Sequence, residues 1–116
     1  MVDKVKTILS KFLKNKVLAN GLPATSYTSS EFWEIECQTV LEEGWVFAGF
    51  AHELSEFGDV IPISLAGKPV ILVKNLKNEI VAFHNVCRHR CLKLVDQTKN
   101  VGKLIRCPYH SWAYDL

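Results

Sequence analysis

The chain has 116 residues, one domain's worth with room for a modest core, and 48% hydrophobic and 22% charged residues are ordinary for a soluble globular protein. A formal net charge of +2 is too small to argue for a nucleic-acid partner, and no aromatic-and-basic RNA motif is present. No run approaches the ~20 apolar residues that cross a bilayer, and residues 1–20 are broken by lysines, unlike a secretory signal. A cytoplasmic protein with no membrane partner is therefore expected.

Apolar residues at Val2, Val5, Ile8, Leu9, Phe12, Leu13, Val17 and Leu18 follow helical spacing, with Lys4, Lys6, Lys11, Lys14 and Lys16 largely on other faces. Such a basic amphipathic helix either lies on a membrane or packs its stripe on its own protein or a neighbouring subunit. Packing is the favoured reading, and Gly21-Leu22-Pro23 ends the helix. A second helix starts with Thr28 as N-cap and Glu31 three residues on, and Tyr27 and Phe32 are placed for a hydrophobic staple. It continues through Ile35, Val40 and Leu41 to Gly44, where a left-handed cap favours glycine. Cys37 inside it reads as a small buried hydrophobe.

From Trp45 the period becomes strand-like. The runs Trp45–Phe50, Val60–Leu65, Val70–Lys74, Ile80–His84 and Leu104–Arg106 are rich in Val, Ile and Phe, and Gly58-Asp59, Ala66-Gly67 and Asn75–Asn78 punctuate them as turns. The pattern predicts a mainly β domain over residues 45–116, an antiparallel sheet or small barrel, preceded by two helices over residues 1–44.

Four cysteines could form two disulfides. Cys87 and Cys107, however, are each followed by a histidine that a disulfide does not need. The pieces are Cys87-Arg88-His89 and Cys107-Pro108-Tyr109-His110, with 17 residues between His89 and Cys107. Four soft or borderline ligands in two pairs imply a metal centre. A single zinc ion usually draws on like ligands grouped together. One Cys and one His from each loop suits two ions, with Cys87 and Cys107 on one iron and His89 and His110 on the other. That is the ligand set of a Rieske [2Fe-2S] centre. The loops are expected at strand ends, reaching toward each other from one sheet edge.

This pattern, continued by Ser111-Trp112-Ala113-Tyr114-Asp115-Leu116, resembles the Rieske domain of non-haem iron ring-hydroxylating oxygenases. Leu22-Pro23, Tyr27-Thr28, Gly44-Trp45, Gly58-Asp59 and His84-Asn85-Val86 extend the resemblance upstream. The fold it implies is a Rieske-type antiparallel β-sandwich or small barrel with two N-terminal helices, α+β overall. That family continues past the position of Leu116 with further strands and a catalytic domain, so a C-terminally truncated piece is expected. The implied activity is that of an oxidoreductase component. Electrons pass from a reductase or ferredoxin through the [2Fe-2S] cluster to a mononuclear Fe(II), which activates O2 to hydroxylate or demethylate an organic substrate. A homotrimer is implied for the complete protein. The substrate, and mono- against dioxygenation, stay open. Two rivals remain: a stand-alone Rieske ferredoxin, which lacks the helical lead-in, and a structural zinc module.

The ligand types have an electronic consequence. With two thiolates and two neutral imidazoles the oxidised centre is neutral, whereas an all-cysteine cluster is a dianion, so the electron is taken up more easily. Rieske potentials accordingly span about −150 to +300 mV, against about −400 mV for plant-type clusters. Residues around the ligands tune within that range. Tyr114 stands where respiratory Rieske proteins place a tyrosine that donates to a cluster cysteine. Trp112 replaces their serine, and Tyr109 replaces a half-cystine. With fewer donors, a potential near the low end is expected. Trp112 also serves as hydrophobic cover, a role Tyr114 can share.

Cys91 and Ser111 stand where the family usually carries glycine. If those turns need a positive φ, the first loop is strained or differently turned. Cys91 reads as a passive residue, with a reactive thiol or spurious ligand as alternatives. His52 and His84 pair with no placed carboxylate, which excludes a two-histidine, one-carboxylate iron site here. Arg88, Arg90 and Lys93 either ring the cluster with positive charge that orients an acidic donor or are ordinary solvated surface.

Overall fold

The computed structural model describes residues 2–13 and 21–116. The chain divides into two compact units, residues 1–45 and 46–116.

In the first unit, α1 spans Val2–Leu13; the expected continuation over residues 14–19 lies outside the described residues. Val5 is buried and Ile8 and Leu9 half-buried, while Lys6 and Ser10 are exposed. Val5 and Ile8 share a pocket with Thr25, Ser29, Glu31 and Phe32, so the apolar stripe packs on the chain's own helical residues. No helix among the described residues is long and apolar enough to cross a membrane.

The second expected helix is divided. A short α2, Thr25–Thr28, precedes α3, Ser30–Glu36, and the cap is Ser29, one residue later than expected. Its Oγ accepts from Phe32 N at 3.2 Å, whereas the Thr28 hydroxyl donates back to Ala24 O within α2. Moving the cap puts the polar Thr28 where a staple residue belongs. Tyr27 is accordingly 74% exposed while Phe32 is buried, and the expected staple does not form. The helix runs on as a π-helical turn, Cys37–Leu41, closed by Glu42 N donating to Cys37 O at 3.0 Å. Cys37 is buried and unbonded to another sulfur. Gly44 is not left-handed. A Cβ there would lie 2.5 Å from Val40 O, so close backbone approach, not a positive φ, calls for glycine.

The second unit holds two antiparallel sheets. β1 (Asp59–Leu65), β2 (Lys68–Lys74), β3 (Ile80–His84) and β4 (Lys99–Asn100) form one, in the order β3-β2-β1-β4; β5 (Leu104–Arg106) and β6 (Ala113–Asp115) form the other. β1 and β2 pair through Val60 opposite Val73 and Ile63 opposite Val70. The left-handed residues Ala66 and Gly67 (φ 50° and 76°) supply the two-residue turn that matches strand twist. Asn75 shapes the β2–β3 turn, its Oδ1 accepting from Lys77 N and Glu79 N. Residues 45–50 form no strand. They pair with neither edge of the four-stranded sheet, and Trp45, Phe47 and Phe50 remain exposed. Apolar alternation marks a strand only where a partner ladder exists. The two-residue β4 is too short to leave a periodic signal.

The core consists of Val60, Ile71, Val73, Leu94, Val95 and Ile105 together with the two cysteines Cys87 and Cys107. Its lower margin is knotted by polar groups. Asp59 Oδ2 accepts from Glu56 N at 2.8 Å, and Asn100 Nδ2 donates to Asp59 Oδ1 and Phe57 O. These bonds, the Glu56 amide first, hold the Asp59 carboxyl below the usual carboxylate range. Gly58 sits in this knot at φ 89°, where a Cβ would meet Gly102 O at 2.6 Å.

Gly58→Ala should therefore destabilise the fold by about 2–3 kcal/mol. Gly67→Ala, equally left-handed but with open space around it, should lose only about 1 kcal/mol. Chemical denaturation of both variants checks this, and equal losses would refute the steric argument. A carboxyl pKa lowered by folding contributes stability above its unfolded value that is lost as pH falls through the folded value. Asp59→Asn should thus flatten the acid limb of the stability–pH curve.

Candidate metal centre

The two loops singled out by the sequence come from different sheets, not from one sheet edge. Cys87-Arg88-His89 leaves β3, an edge of the four-stranded sheet; Cys107-Pro108-Tyr109-His110 is the turn joining β5 to β6. Ile71 and Val73 on one side and Ile105 on the other hold the two sheets around the same core.

The loops share one backbone design. Cys87 N donates to Leu92 O at 2.7 Å and Cys91 N to Cys87 O at 2.9 Å; Cys107 N donates to Trp112 O at 2.8 Å and Ser111 N to Cys107 O at 3.0 Å. In both, the fourth residue after the cysteine is left-handed, Cys91 at φ 55° and Ser111 at φ 58°. The turn the sequence questioned is thus kept in both loops, with a side chain carried in a conformation that favours glycine. Cys91 is exposed and its sulfur unbonded.

This design sorts the donors by depth. Cys87 and Cys107 are 1% and 3% exposed, whereas His89 and His110 lie on the surface. Cys87 and Cys107 lie in the same core cluster, and the two imidazoles stand 4.8 Å apart, centroid to centroid, inclined at 64°. Sulfur therefore faces sulfur inside and nitrogen faces nitrogen outside. No three Cys, His, Asp or Glu side chains among the described residues converge as a single ion needs. A two-plus-two set divided by donor type instead fits a binuclear centre with each metal taking two protein ligands.

The Tyr114 hydroxyl lies 3.0 Å from Cys87 Sγ and accepts from Arg88 N at 3.1 Å. The hydroxyl beside it holds the Cys87 thiol below the ordinary cysteine range, outweighing burial, which acts the other way. Reciprocally, the neighbouring sulfur raises the Tyr114 pKa. Between a phenol and a thiol either group can donate, but a thiolate has no proton to give, so toward an ionised Cys87 the phenol is the donor. Trp112 stacks parallel on His89 across the loops, centroids 4.8 Å apart and planes within 1°. Its carbonyl closes the second loop while its ring covers the first. Tyr109 lies 3.8 Å from the His110 ring. Of the spare histidines, His52 stacks on Phe50 and His84 pairs with Val70 at the end of β3. Arg88 and Arg90 are exposed, and Lys93 pairs with Asp96 at 3.4 Å.

Asn85 was legible only as the residue before the loop, yet it holds the loop together. It is fully buried; Oδ1 accepts from Leu94 N and Val95 N at 3.0 and 2.9 Å, and Nδ2 donates to Val95 O at 2.6 Å. These bonds pin the returning chain beside the departing one, so Cys87 and Leu92 can meet. An amide that both donates and accepts, placed between a strand and a ligand loop, was the available signal.

Comparison with known proteins follows the same residues. The family model described as the Rieske [2Fe-2S] domain matches residues 44–116. The oxygenase subunit of glycine betaine monooxygenase from Pseudomonas aeruginosa is 30% identical over 99% of this chain, which spans 27% of that protein. Among solved structures, the quaternary ammonium Rieske monooxygenase CntA with gamma-butyrobetaine is similar at TM-score 0.81, with 29% identity over 91% of this chain and 30% of that one. Naphthalene 1,2-dioxygenase from Rhodococcus sp., bound to indole, is similar at TM-score 0.84, with 26% identity over 97% of this chain and 26% of that one.

Asn85→Ala leaves two amides and a carbonyl without partners and should destabilise the second unit by about 2–4 kcal/mol, which thermal denaturation measures. Cys91→Gly and Ser111→Gly relieve left-handed strain and should each add about 0.5–1.5 kcal/mol. Loss of stability in both variants would contradict the assignment of strain.

Proposed function

The chain belongs to the Rieske [2Fe-2S] domain family, and we propose that it is the electron-transfer domain of a non-haem iron oxygenase. The family's cofactor is a Rieske [2Fe-2S] cluster. In the proposed assignment Cys87 and Cys107 hold one iron, His89 and His110 the other, and Tyr109, Trp112 and Tyr114 surround them. Residues 1–44 form a helical lead-in and residues 45–116 the cluster-bearing domain.

The observation that supports this most is the separation of the donors, thiols inside and imidazoles outside. When bound, the cluster supplies a one-electron couple. The chain's own residues do the rest. Leu94, Val95 and Ile105 exclude water from the sulfur side. Tyr114 donates to an ionised Cys87 and so stabilises added negative charge, and the exposed imidazoles provide the contact through which an electron leaves.

The relatives are oxygenase subunits, of which this chain spans about a quarter. We extend the reading to an oxidoreductase that takes electrons from a reductase or ferredoxin and passes them to a mononuclear Fe(II) held outside these 116 residues. A homo-oligomer is part of the proposal, in keeping with the inter-subunit electron transfer named for a quaternary ammonium Rieske monooxygenase. The glycine betaine and carnitine relatives favour a quaternary ammonium substrate over an aromatic one. The gene product carrying this chain, supplied with NADH, O2 and a reductase, should oxidise glycine betaine or carnitine beside the quaternary nitrogen, releasing formaldehyde where an N-methyl carbon is hydroxylated and trimethylamine where the chain carbon is. Oxidation of naphthalene but neither amine would reverse the substrate assignment.

Redox titration followed by EPR should give a midpoint below about +150 mV, low in the Rieske range. Removing the hydroxyl in Tyr114→Phe withdraws one hydrogen bond, about 1 kcal/mol, from the more negative reduced state and should lower the midpoint by about 40 mV. An unchanged midpoint in that variant would remove Tyr114 from the account.

A further inference from the structure

Positive charge in the second unit is segregated. From residue 86 onward stand Arg88, Arg90, Lys93, Lys99, Lys103 and Arg106 against only Asp96 and Asp115. The sequence directed attention to the first three, but Lys93 spends its charge on Asp96. The other three stand together. Lys99, Lys103 and Arg106, with Asn100, Val101 and Leu104, line a shallow groove of about 410 Å³ along β4 and β5, with no acidic residue in its lining. All three cations are exposed, and none has a carboxylate partner among the described residues. Ile105 turns into the core at 3% exposure, so strand alternation directs Leu104 and Arg106 outward. Arg106 immediately precedes Cys107, and adjacent Cα atoms are about 3.8 Å apart.

We propose that this groove is the docking surface for the electron-donating protein, and that the donor presents a carboxylate-rich patch to it. The proposal rests on the electron-transfer reading above and adds the place and the chemistry of the contact. Three unpaired cations in a groove with no carboxylate in its lining attract acidic surfaces at long range and speed encounter more than they tighten the complex. Arg106 lines the groove and is the chain neighbour of Cys107, so a partner seated there lies one residue from the candidate metal centre. The step is a single electron: the reduced donor is oxidised and the oxidised cluster reduced, with no bond made or broken.

The test uses the cluster-loaded chain and a reduced, acidic plant-type ferredoxin as probe, which is a stronger reductant than a Rieske centre by about 250 mV or more. The second-order rate of cluster reduction should fall about tenfold or more between low salt and about 0.3 M. The triple variant K99E/K103E/R106E should be at least about tenfold slower at low salt and lose most of that salt dependence. Its reduction by the neutral 5-deazariboflavin radical, which needs no docking, should keep the parent rate. A triple variant that retains the Rieske EPR signal yet accepts electrons from ferredoxin at the parent rate overturns the docking surface alone. A chain without that signal overturns the electron-transfer reading, and the docking surface falls with it. Binding of poly(U) RNA tighter than that of ferredoxin would assign the groove to nucleic acid and also overturn the proposal.

Discussion

Everything in the second unit depends on one backbone arrangement made twice. In each loop the cysteine amide reaches forward five residues to a carbonyl, and its own carbonyl takes the amide four residues on. The cysteine is thereby fixed at the root of the loop, against the core, and the histidine is carried to the tip. Depth follows from this closure: a thiol at the root is buried by Val60, Ile71 and Ile105, while an imidazole at the tip faces solvent. The His falls two residues after the Cys in one loop and three in the other, yet the closing bonds are the same. The loop is therefore defined by its hydrogen bonds and not by the ligand spacing.

Because the two loops spring from separate sheets, their relative placement is set by packing and not by strand pairing. The shared core supplies part of it. Trp112 supplies another part, since its carbonyl closes one loop while its ring stacks on the histidine of the other. Tyr114 makes the same kind of crossing, from β6 to the sulfur of Cys87 and the amide of Arg88. Residues after His110 thus do double duty as strand and as cover. The basic groove along β4 and β5 belongs to the same economy, because the strand that delivers Cys107 to the core turns its alternate side chains outward.

Much of this was legible in the sequence. The four main strands and the turn at Ala66-Gly67 depend on local pattern, and they stand as read. What sequence could not show lies where partners decide. Residues 45–50 alternate like a strand but have no ladder to join. The cap fell to Ser29 over Thr28, a contest between adjacent hydroxyls that only the path of the chain resolves. Gly44 was expected for its φ and is required for its small size. Asn85, whose side chain makes three hydrogen bonds to the backbone, leaves no periodic trace at all.

The account's central claim is that sulfur pairs with sulfur and imidazole with imidazole, so that two irons are held by two protein ligands each. Chemical analysis of anaerobically purified or reconstituted protein, combined with EPR of the dithionite-reduced form, tests it most directly. The account predicts two irons and two acid-labile sulfides per chain, with a rhombic signal of low average g that shows hyperfine coupling to two histidine nitrogens. One zinc per chain with no labile sulfide, or a reduced signal without nitrogen coupling, would contradict it.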